Sequence, residues 1–598
     1  MKPARLGHLL FAIICILVAL GVWSRFDELG THFAHVDDVG VAFSILNRDE
    51  LNIARIRSVI YDNSRPSHTG QMPKLLRRLD DFGVLEWAYH VAQPAWRSFV
   101  VPLQWTYAPL QFFVTQHLIS DEQEYSQILF WGRFPSAVFA SMSIFILAAT
   151  LRALYGRNWP FIALLPLSIL CLSWQNIIYA KQMENYSLGV TAVLALIAGI
   201  SWLQSRRFDR RQMRWSALAV CIALTATYQI LFFLPAVMFV AVVLALRDSV
   251  ERPMRRMTEL MVHFAAPIVV FLVPIYVLFL SHRKGAAISW NAGPNREYVF
   301  EWPAQSSFLD LPGRAFTFLR TAGMDTVEAL IAFAPEQELS VRVLAIAILL
   351  LAALGIVTAM RDEERRKNCV ILFGVFGLAT YCTLFLAGIL TLSPTRHSMI
   401  LLPLILVLAA EGISVLANHV LGTKECQGVA WSAVVLLIGV VALQTERFAA
   451  NYVQIIEERR DIFQQVGVEE KLKAAGVGMI LSDSITYHAR LMQYFRGRAA
   501  MFFERRGWID VNAVNTDARI AFLSSREALP IGRQHELLAA AISAAPRESR
   551  IAEIQDAQLI EVSRLELRAN VQVDFSRKTI NGGNELYLYI VEARNRGS

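Results

Sequence analysis

Long apolar runs recur along the chain with short polar breaks between them, and that pattern sets the fold. A bilayer crossing takes roughly 20 mostly apolar residues in a helix. Runs of this kind extend over Leu6 to Trp23, Phe134 to Leu151, Trp159 to Ser173, Ser187 to Leu203, Trp215 to Tyr228 and Leu231 to Leu246. Others cover Met261 to Leu280, Val343 to Met360, Val370 to Leu390, Met399 to Leu416 and Val429 to Leu443. They predict a polytopic α-helical membrane protein with about eleven spans, the pair flanking Tyr228 arising from one run that splits near Pro235. Lys2 and Arg5 precede the first run and no small-x-small cleavage site follows it, so it reads as a retained anchor rather than a signal peptide.

Composition points the same way. Hydrophobic residues make up 55% of the 598 positions and charged residues only 18%, with a mean hydropathy of +0.41. A soluble domain carries about 25% charge, so this chain is short of polar surface. The same figures exclude disordered, collagen-like and disulfide-scaffold classes. Cys15, Cys171, Cys221, Cys369, Cys382 and Cys426 all lie in or beside apolar stretches, which indicates neither a disulfide framework nor a zinc site.

The net charge of +7 comes largely from arginine beside the apolar runs, a topology signal rather than a nucleic-acid surface. Alternate short loops hold Arg152 and Arg157; Arg206, Arg207, Arg210, Arg211 and Arg214; Arg247, Arg252, Arg255 and Arg256; and Arg361, Arg365, Arg366 and Lys367. The opposite loops hold little more than Lys181 and Arg396. The positive-inside rule then places the first set and the N-terminus in the cytoplasm, and an odd number of spans places the C-terminus outside. The expected organisation is a membrane module over residues 1–446, with extracytoplasmic loops 24–133 and 282–342, and an extracytoplasmic domain over 447–598.

The first loop includes two amphipathic stretches, Trp87 to Val101 and Pro102 to Ile119. The second is too polar at Gln104, Gln111, Gln116 and His117 for a span and reads as a helix lying in the interface. The loop 282–342 carries Trp290, Tyr298, Phe300 and Trp302, as interfacial segments do. In the tail, helical patterns at Val468 to Ala475 and Gln534 to Ala544 alternate with strand-like runs at Gly478 to Ser482, Ile520 to Ser524 and Leu586 to Val591. That alternation predicts a small α/β domain.

Candidate chemistry begins at His35-Val36-Asp37-Asp38-Val39-Gly40, shortly after the first span. Two adjacent acids in an apolar context at a membrane surface are costly unless solvated or used. A partly dehydrated carboxylate holds a proton more tightly, which suits a base for a sugar or lipid hydroxyl. The plainer reading is a solvated turn, or Asp38 as the N-cap of Val39 to Leu46. No Gly-rich phosphate loop, His/Cys metal spacing or serine nucleophile elbow is present.

Several positions, taken in order, resemble the GT-C superfamily of membrane glycosyltransferases, in the branch of protein O-mannosyltransferases and the lipid A aminoarabinose transferase. Asp37-Asp38 stands where the family has Asp-Glu or Asp-Asp after the first span. Tyr107-Ala108-Pro109-Leu110 resembles its His-Pro-Pro-Leu, and Arg133-Phe134-Pro135-Ser136-Ala137 its Arg-Leu-Pro-Ser-Ala, with Leu154-Tyr155-Gly156 at the far end of that span. Tyr179-Ala180-Lys181-Gln182-Met183-Glu184-Asn185-Tyr186-Ser187-Leu188 resembles its Ala-Arg-x-x-Arg-x-Tyr-x-Leu, and Ser393-Pro394-Thr395-Arg396-His397 its late Arg-Tyr. The likeness covers Leu6 to Leu416. The family's His is Tyr107 here, its two arginines are Lys181 and Glu184, and His397 follows Arg396 in place of Tyr.

The resemblance implies an inverting enzyme that uses a polyprenyl-phosphate-linked sugar at the outer face of the inner membrane. The acceptor would be a glycolipid, polysaccharide or protein hydroxyl, and no nucleic acid is involved. Asp37 would be the base, with Asp38 orienting it or binding the acceptor. Lys181, Glu184, Tyr186, Arg396 and Arg133 would bind the donor phosphate or sugar, the cations taking the phosphate and Glu184 either reading a sugar hydroxyl or pairing with a nearby cation, and Tyr107 and His35 would meet the acceptor or interface. Some family members bind a divalent metal through the acidic pair, and the sequence leaves that open. Each residue also has a structural reading. Lys181 and Arg396 would snorkel to headgroups, Arg133 would mark a span end, Tyr107 would anchor at the interface, and His263 would bond to a neighbouring helix. A multispan transporter or flippase is the alternative class, but it would place ionisable groups near the midplane in repeated halves, and no internal repeat is seen. A reporter fused at Ser598 is expected to be active only outside the cytoplasm; cytoplasmic activity would reverse the assigned face.

Overall fold

The apolar runs become helices because a backbone in lipid can satisfy its own N–H and C=O groups only within a helix or a closed barrel. A computed structural model of the chain describes residues 3–30, 41, 42, 45, 109–120, 123, 125–247, 253–275, 300, 310–333, 339–362, 368–387, 390, 392, 394, 396–421 and 438–452, with strands at 477–482, 519–524, 556–566 and 585–594. Contacts divide the chain into two units. The larger takes Met1–Asp27, Asn47–Leu118 and Arg133–Tyr452; the smaller takes Glu28–Leu46, Ile119–Gly132 and Val453–Ser598.

Among the described residues the helices include α1 (Pro3–Phe26), α2 (Pro109–Thr115), α3 (Tyr125–Tyr155), α4 (Trp159–Leu172), α5 (Trp174–Ala180), α6 (Tyr186–Gln204), α7 (Arg210–Ala226) and α8 (Leu234–Arg247). Next come α9 (Pro253–Leu260), a π turn over Met261–Ala265, α10 (Ala266–Ile275), α11 (Leu311–Ile331), α12 (Leu339–Arg361), α13 (Cys369–Leu386) and α14 (Leu402–Leu421). A last helix, α15, runs over 438–452. Among the described residues, eight stretches are long and apolar enough to cross a membrane. One of them, Ser126–Leu172, is 47 residues long and contains two helices, α3 and α4. These join through a 3-10 turn at Gly156–Asn158, where Gly156 takes φ +54, a left-handed conformation that glycine adopts without Cβ strain. The chain is a polytopic helical membrane protein.

The run flanking Tyr228 splits earlier than Pro235. Thr227 leaves the helical region (φ −157, ψ 136), its hydroxyl accepts from the Gln229 amide at 3.3 Å, and a 3-10 turn covers Tyr228–Phe233. Pro235 sits in the first turn of α8, where its missing N–H has no intrahelical partner to lose. The expected loop 282–342 contains α11, whose buried face (Ala322, Thr326, Val327, Leu330, Ile331) is interrupted in sequence by Arg320, Asp325 and Glu328, so no continuous apolar run marks it. Of the interfacial stretch Pro102 to Ile119, the described part is helical over Pro109–Thr115. Trp87 to Val101 lies outside the described residues, as does most of Val429 to Leu443.

The core of the larger unit is the span Arg396–Asn418. Its most apolar window is 89% buried, against 33% for Gly7–Phe26 and 28% for Leu339–Arg361. Helices that approach a central helix this closely need small residues at the crossing. A Cβ on Gly412 would collide with the Leu351 carbonyl, and one on Gly355 with the Leu408 carbonyl, so α12 and α14 touch backbone to backbone. A second close crossing joins α1 and α4, where a Cβ on Gly21 would fall 2.8 Å from Cys171 Cβ. Near it Arg25, fully buried, donates to the carbonyls of Leu170 (2.7 Å) and Cys171 (3.2 Å) at the end of α4. Those carbonyls lack intrahelical partners and carry the negative end of the helix dipole, so the guanidinium caps them.

In the smaller unit, β1 (Val477–Ser482), β2 (Arg519–Ser524), β3 (Asp556–Glu566) and β4 (Glu585–Arg594) form one mixed sheet in the order β1-β2-β4-β3. β1 and β2 are parallel, whereas β4 is antiparallel to both β2 and β3. The three strand-like runs of the tail are β1, β2 and β4. The sequence pattern misses β3 because a bulge between Leu559 and Glu561 breaks its two-residue alternation. The two helical patterns of the tail lie outside the described residues. Substituting Gly412 by Ala is expected to lower the thermal unfolding midpoint in detergent, by an overpacking cost of about 1–3 kcal/mol. An unchanged midpoint would mean that α12 and α14 do not meet at this crossing.

Candidate active site

Between α5 and α6 the chain turns through Lys181 to Asn185, and every residue of Tyr179 to Leu188 is buried. The helix that leads into this turn, α5, starts where α4 breaks at Ser173. There the Ser173 hydroxyl donates to the Leu330 carbonyl (2.7 Å) and the Trp174 amide to the Ala332 carbonyl (2.8 Å), which satisfies the end of α11. Asn185 Nδ2 donates to the Ala226 carbonyl at the end of α7 (3.2 Å), fixing the other side of the turn. A charged corner inside the protein is thus held by hydrogen bonds to helix ends.

Four segments far apart in sequence meet at this corner. Gln111 Nε2 on α2 donates to the Ser136 hydroxyl (3.0 Å), and that hydroxyl donates to the Glu184 carbonyl (3.1 Å). Arg133 is fully buried one helical turn before Ser136 on α3. The Glu184 carboxylate is buried and forms an ion pair with the Arg396 guanidinium at 3.2 Å, their side chains being 0% and 17% exposed. Arg396 also lies over the Tyr186 ring, 5.5 Å from its centroid. The Tyr186 hydroxyl is 3.4 Å from His397 Nδ1, and the two rings meet edge to face at 5.5 Å. Gln229 Nε2 holds the His397 carbonyl at 2.9 Å, and Gln175 Nε2 the Pro394 carbonyl at 3.3 Å. Glu184, Tyr186, Arg396 and His397 therefore form one cluster, with the cation turned inward to a carboxylate.

Lys181 does not snorkel. It is 1% exposed, and its ammonium donates to the Asp27 carbonyl at the end of α1 (2.7 Å) and to the Tyr452 hydroxyl at the end of α15 (3.1 Å). The single Tyr452 proton is within reach of Asp27 Oδ2 (3.0 Å) and of the Ser24 carbonyl (3.2 Å). Trp23 and Phe448 flank the Tyr452 ring at 5.2 and 5.1 Å. A buried ammonium is tolerated here because a helix-end carbonyl and a hydroxyl linked to a carboxylate replace its water.

The structure thus brings together Lys181, Glu184 and Tyr186 on one turn and adds Arg396 from the start of the central span. Arg133 is placed beside Ser136. Asp37, Asp38, His35 and Tyr107 lie outside the described residues. Sequence reasoning missed Arg25, Asp27, Ser136, Gln229 and Tyr452. A signal did exist for Arg25, since it stands at the end of the first span that the charge rule expects to face outward, where a cation has no topological purpose. Among the described residues no group of three His, Cys, Asp or Glu could hold a metal ion. His263, expected to bond to a neighbouring helix, has its Nδ1 3.5 Å from Arg214 Nε on α7.

No protein-family model and no characterised protein sequence matches the chain. Among solved structures it is similar to the crystal structure of ArnT from Cupriavidus metallidurans bound to undecaprenyl phosphate, with a TM-score of 0.45 and 12% identity over 96% of this chain and 97% of that one. The apo state of the same protein gives a TM-score of 0.43 at 12% identity, with the same coverage. Likeness of this degree leaves the chemistry to the chain's own residues.

Glu184 and Arg396 are expected to be energetically coupled. Glu184→Gln and Arg396→Gln should each lower thermal stability, and the double variant should lose less than the sum, by a coupling of about 1–3 kcal/mol. Strictly additive losses in detergent would show that the pair does not hold the corner together.

Proposed function

We propose that this protein is a membrane glycosyltransferase that moves a sugar from a polyprenyl-phosphate donor to a hydroxyl on an envelope lipid, polysaccharide or protein. The observation that carries the reading is the convergence of Arg133-Ser136, Lys181-Tyr186 and Arg396-His397 on one buried corner at a single end of the bundle. A packed bundle without chemistry has little reason to bring a carboxylate, two tyrosines and several cations into one buried place, since each carries a desolvation cost. A lipid-linked phosphate gives these cations a function.

In the proposed reaction Asp37 takes the proton from the acceptor hydroxyl while that oxygen attacks the anomeric carbon. The carbon–oxygen bond to the phosphate breaks as the new bond forms, so the anomeric centre inverts. Negative charge grows on the departing phosphate, and guanidinium or ammonium groups in a dry site stabilise it far more than in water. Arg396, Arg133 and Lys181 are the proposed groups. The Glu184 contact keeps the Arg396 head oriented before substrate arrives, so that little reorganisation is left for the reaction itself. Glu184 and Tyr186 read sugar hydroxyls, Asp38 orients the base, and Tyr107 and His35 contact the acceptor. Residues 1–446 form the membrane module, and 447–598 form an extracytoplasmic domain that selects the acceptor. The N-terminus faces the cytoplasm of a cell whose inner membrane holds the protein.

Asp37→Asn is expected to reduce sugar transfer by roughly 10²–10⁴-fold, the usual contribution of a general base, with expression and unfolding midpoint unchanged. Lipid and polysaccharide extracts from a deletion strain, compared with the parent by mass spectrometry, should show one glycoconjugate lacking a sugar. Transfer by Asp37→Asn near the wild-type rate would remove the assigned base.

A further inference from the structure

Among the described residues, the arginine-rich end of the larger unit, at the far end of α6 from the buried corner, holds more arginines than its acids pair with. Glu259 on α9 binds Arg210 (2.7 Å), Arg256 (2.8 Å) and Arg255 (3.5 Å). Asp209 caps α7 by accepting from the Gln212 amide at 2.9 Å. Arg247 donates to the Gln204 and Arg206 carbonyls (2.7 and 3.0 Å), and Arg206 lies over the Trp202 ring at 4.3 Å. Among the described residues no acid pairs with Arg211 or Arg214, and both are exposed.

These two arginines share a helix face with bare apolar surface. On α7, Arg214 and Trp215 lie three and four residues after Arg211 and four and three before Leu218, and Trp215 and Leu218 are 58% and 48% exposed. The π turn after α9 packs against this helix and presents Met261 and Val262 outward, 55% and 56% exposed. At the same level His263 Nδ1 lies 3.5 Å from Arg214 Nε, which ties the two helices together where the polar surface ends. A π turn inside an α-helix is uncommon and frequently marks a functional position.

Arginine at a span end alone would serve topology, and an apolar lane alone would suit any lipid tail. Joined on one face they match a molecule with an anionic head and an apolar chain. We propose that Arg211 and Arg214, above Trp215, Leu218, Met261 and Val262, form a binding site for an anionic phospholipid of the leaflet at the arginine-rich end. The guanidinium forks take the headgroup phosphate, whose geometry they fit, and an acyl chain lies along the lane between α7 and the π turn. The site is independent of the proposed sugar transfer, being built from other residues at the other end of α6.

The full-length protein in detergent, supplied with equimolar phosphatidylglycerol and phosphatidylcholine, tests this by native mass spectrometry. The wild type is expected to retain phosphatidylglycerol in preference. Retention should weaken roughly fivefold for each arginine removed in R211Q and R214Q and fall to the phosphatidylcholine level in the double variant. Arg157→Gln, altering an exposed arginine on the Gly156–Asn158 turn, should leave it unchanged. If the double variant fails to fold, phosphatidylglycerol with brominated chains should quench wild-type fluorescence more than brominated phosphatidylcholine, and Trp215→Phe should abolish that excess. Equal retention of both lipids by the wild type, undiminished retention by the double variant, or quenching that survives Trp215→Phe would overturn the proposal.

Discussion

Helix ends inside a membrane bundle leave carbonyl oxygens without partners, and in this protein buried cations meet them. Arg25 closes the end of α4 and Lys181 the end of α1. Each contact satisfies two otherwise costly groups at once, a carbonyl at the negative end of a helix dipole and a charge taken out of water. The architecture around the site depends on this exchange. Without the Lys181 ammonium, the ends of α1 and α15 would lose the group that joins them to the turn between α5 and α6.

The same constraint explains why the site lies where it does. The central span begins with a 3-10 turn at Arg396–Leu401 and continues as α14, and its burial brings Arg396 and His397 into the protein beside Tyr186. Glu184 then supplies the opposite charge. Removing water raises the strength of that pair and the cost of breaking it, so an ion pair inside the protein holds the corner.

The two ends of α6 divide the labour. One end opens from the buried corner, where polar groups are satisfied inside the protein. The other ends among exposed arginines, of which Arg247 holds two backbone carbonyls of the loop. Small residues set the distance between helices: Gly355 and Gly412 at the core crossing, and Gly21 beside Arg25.

Much was legible in the sequence. Apolar runs located the spans because length and hydropathy alone decide whether a helix can cross a bilayer. Two-residue alternation located β1, β2 and β4, and the bulge hid β3. Lys181, Glu184, Tyr186 and Arg396 stood out through the motif resemblance, Lys181 and Arg396 also as the few cations of the loops opposite the arginine-rich ones. Only the tertiary structure decided their partners. Asp27 and Tyr452 are 425 positions apart yet share one hydrogen bond, and no local pattern encodes such a contact. The sequence by itself determined the class of fold and which residues were costly to bury. Packing decided which cation meets which carbonyl or carboxylate, because that choice depends on where helices end in space rather than along the chain.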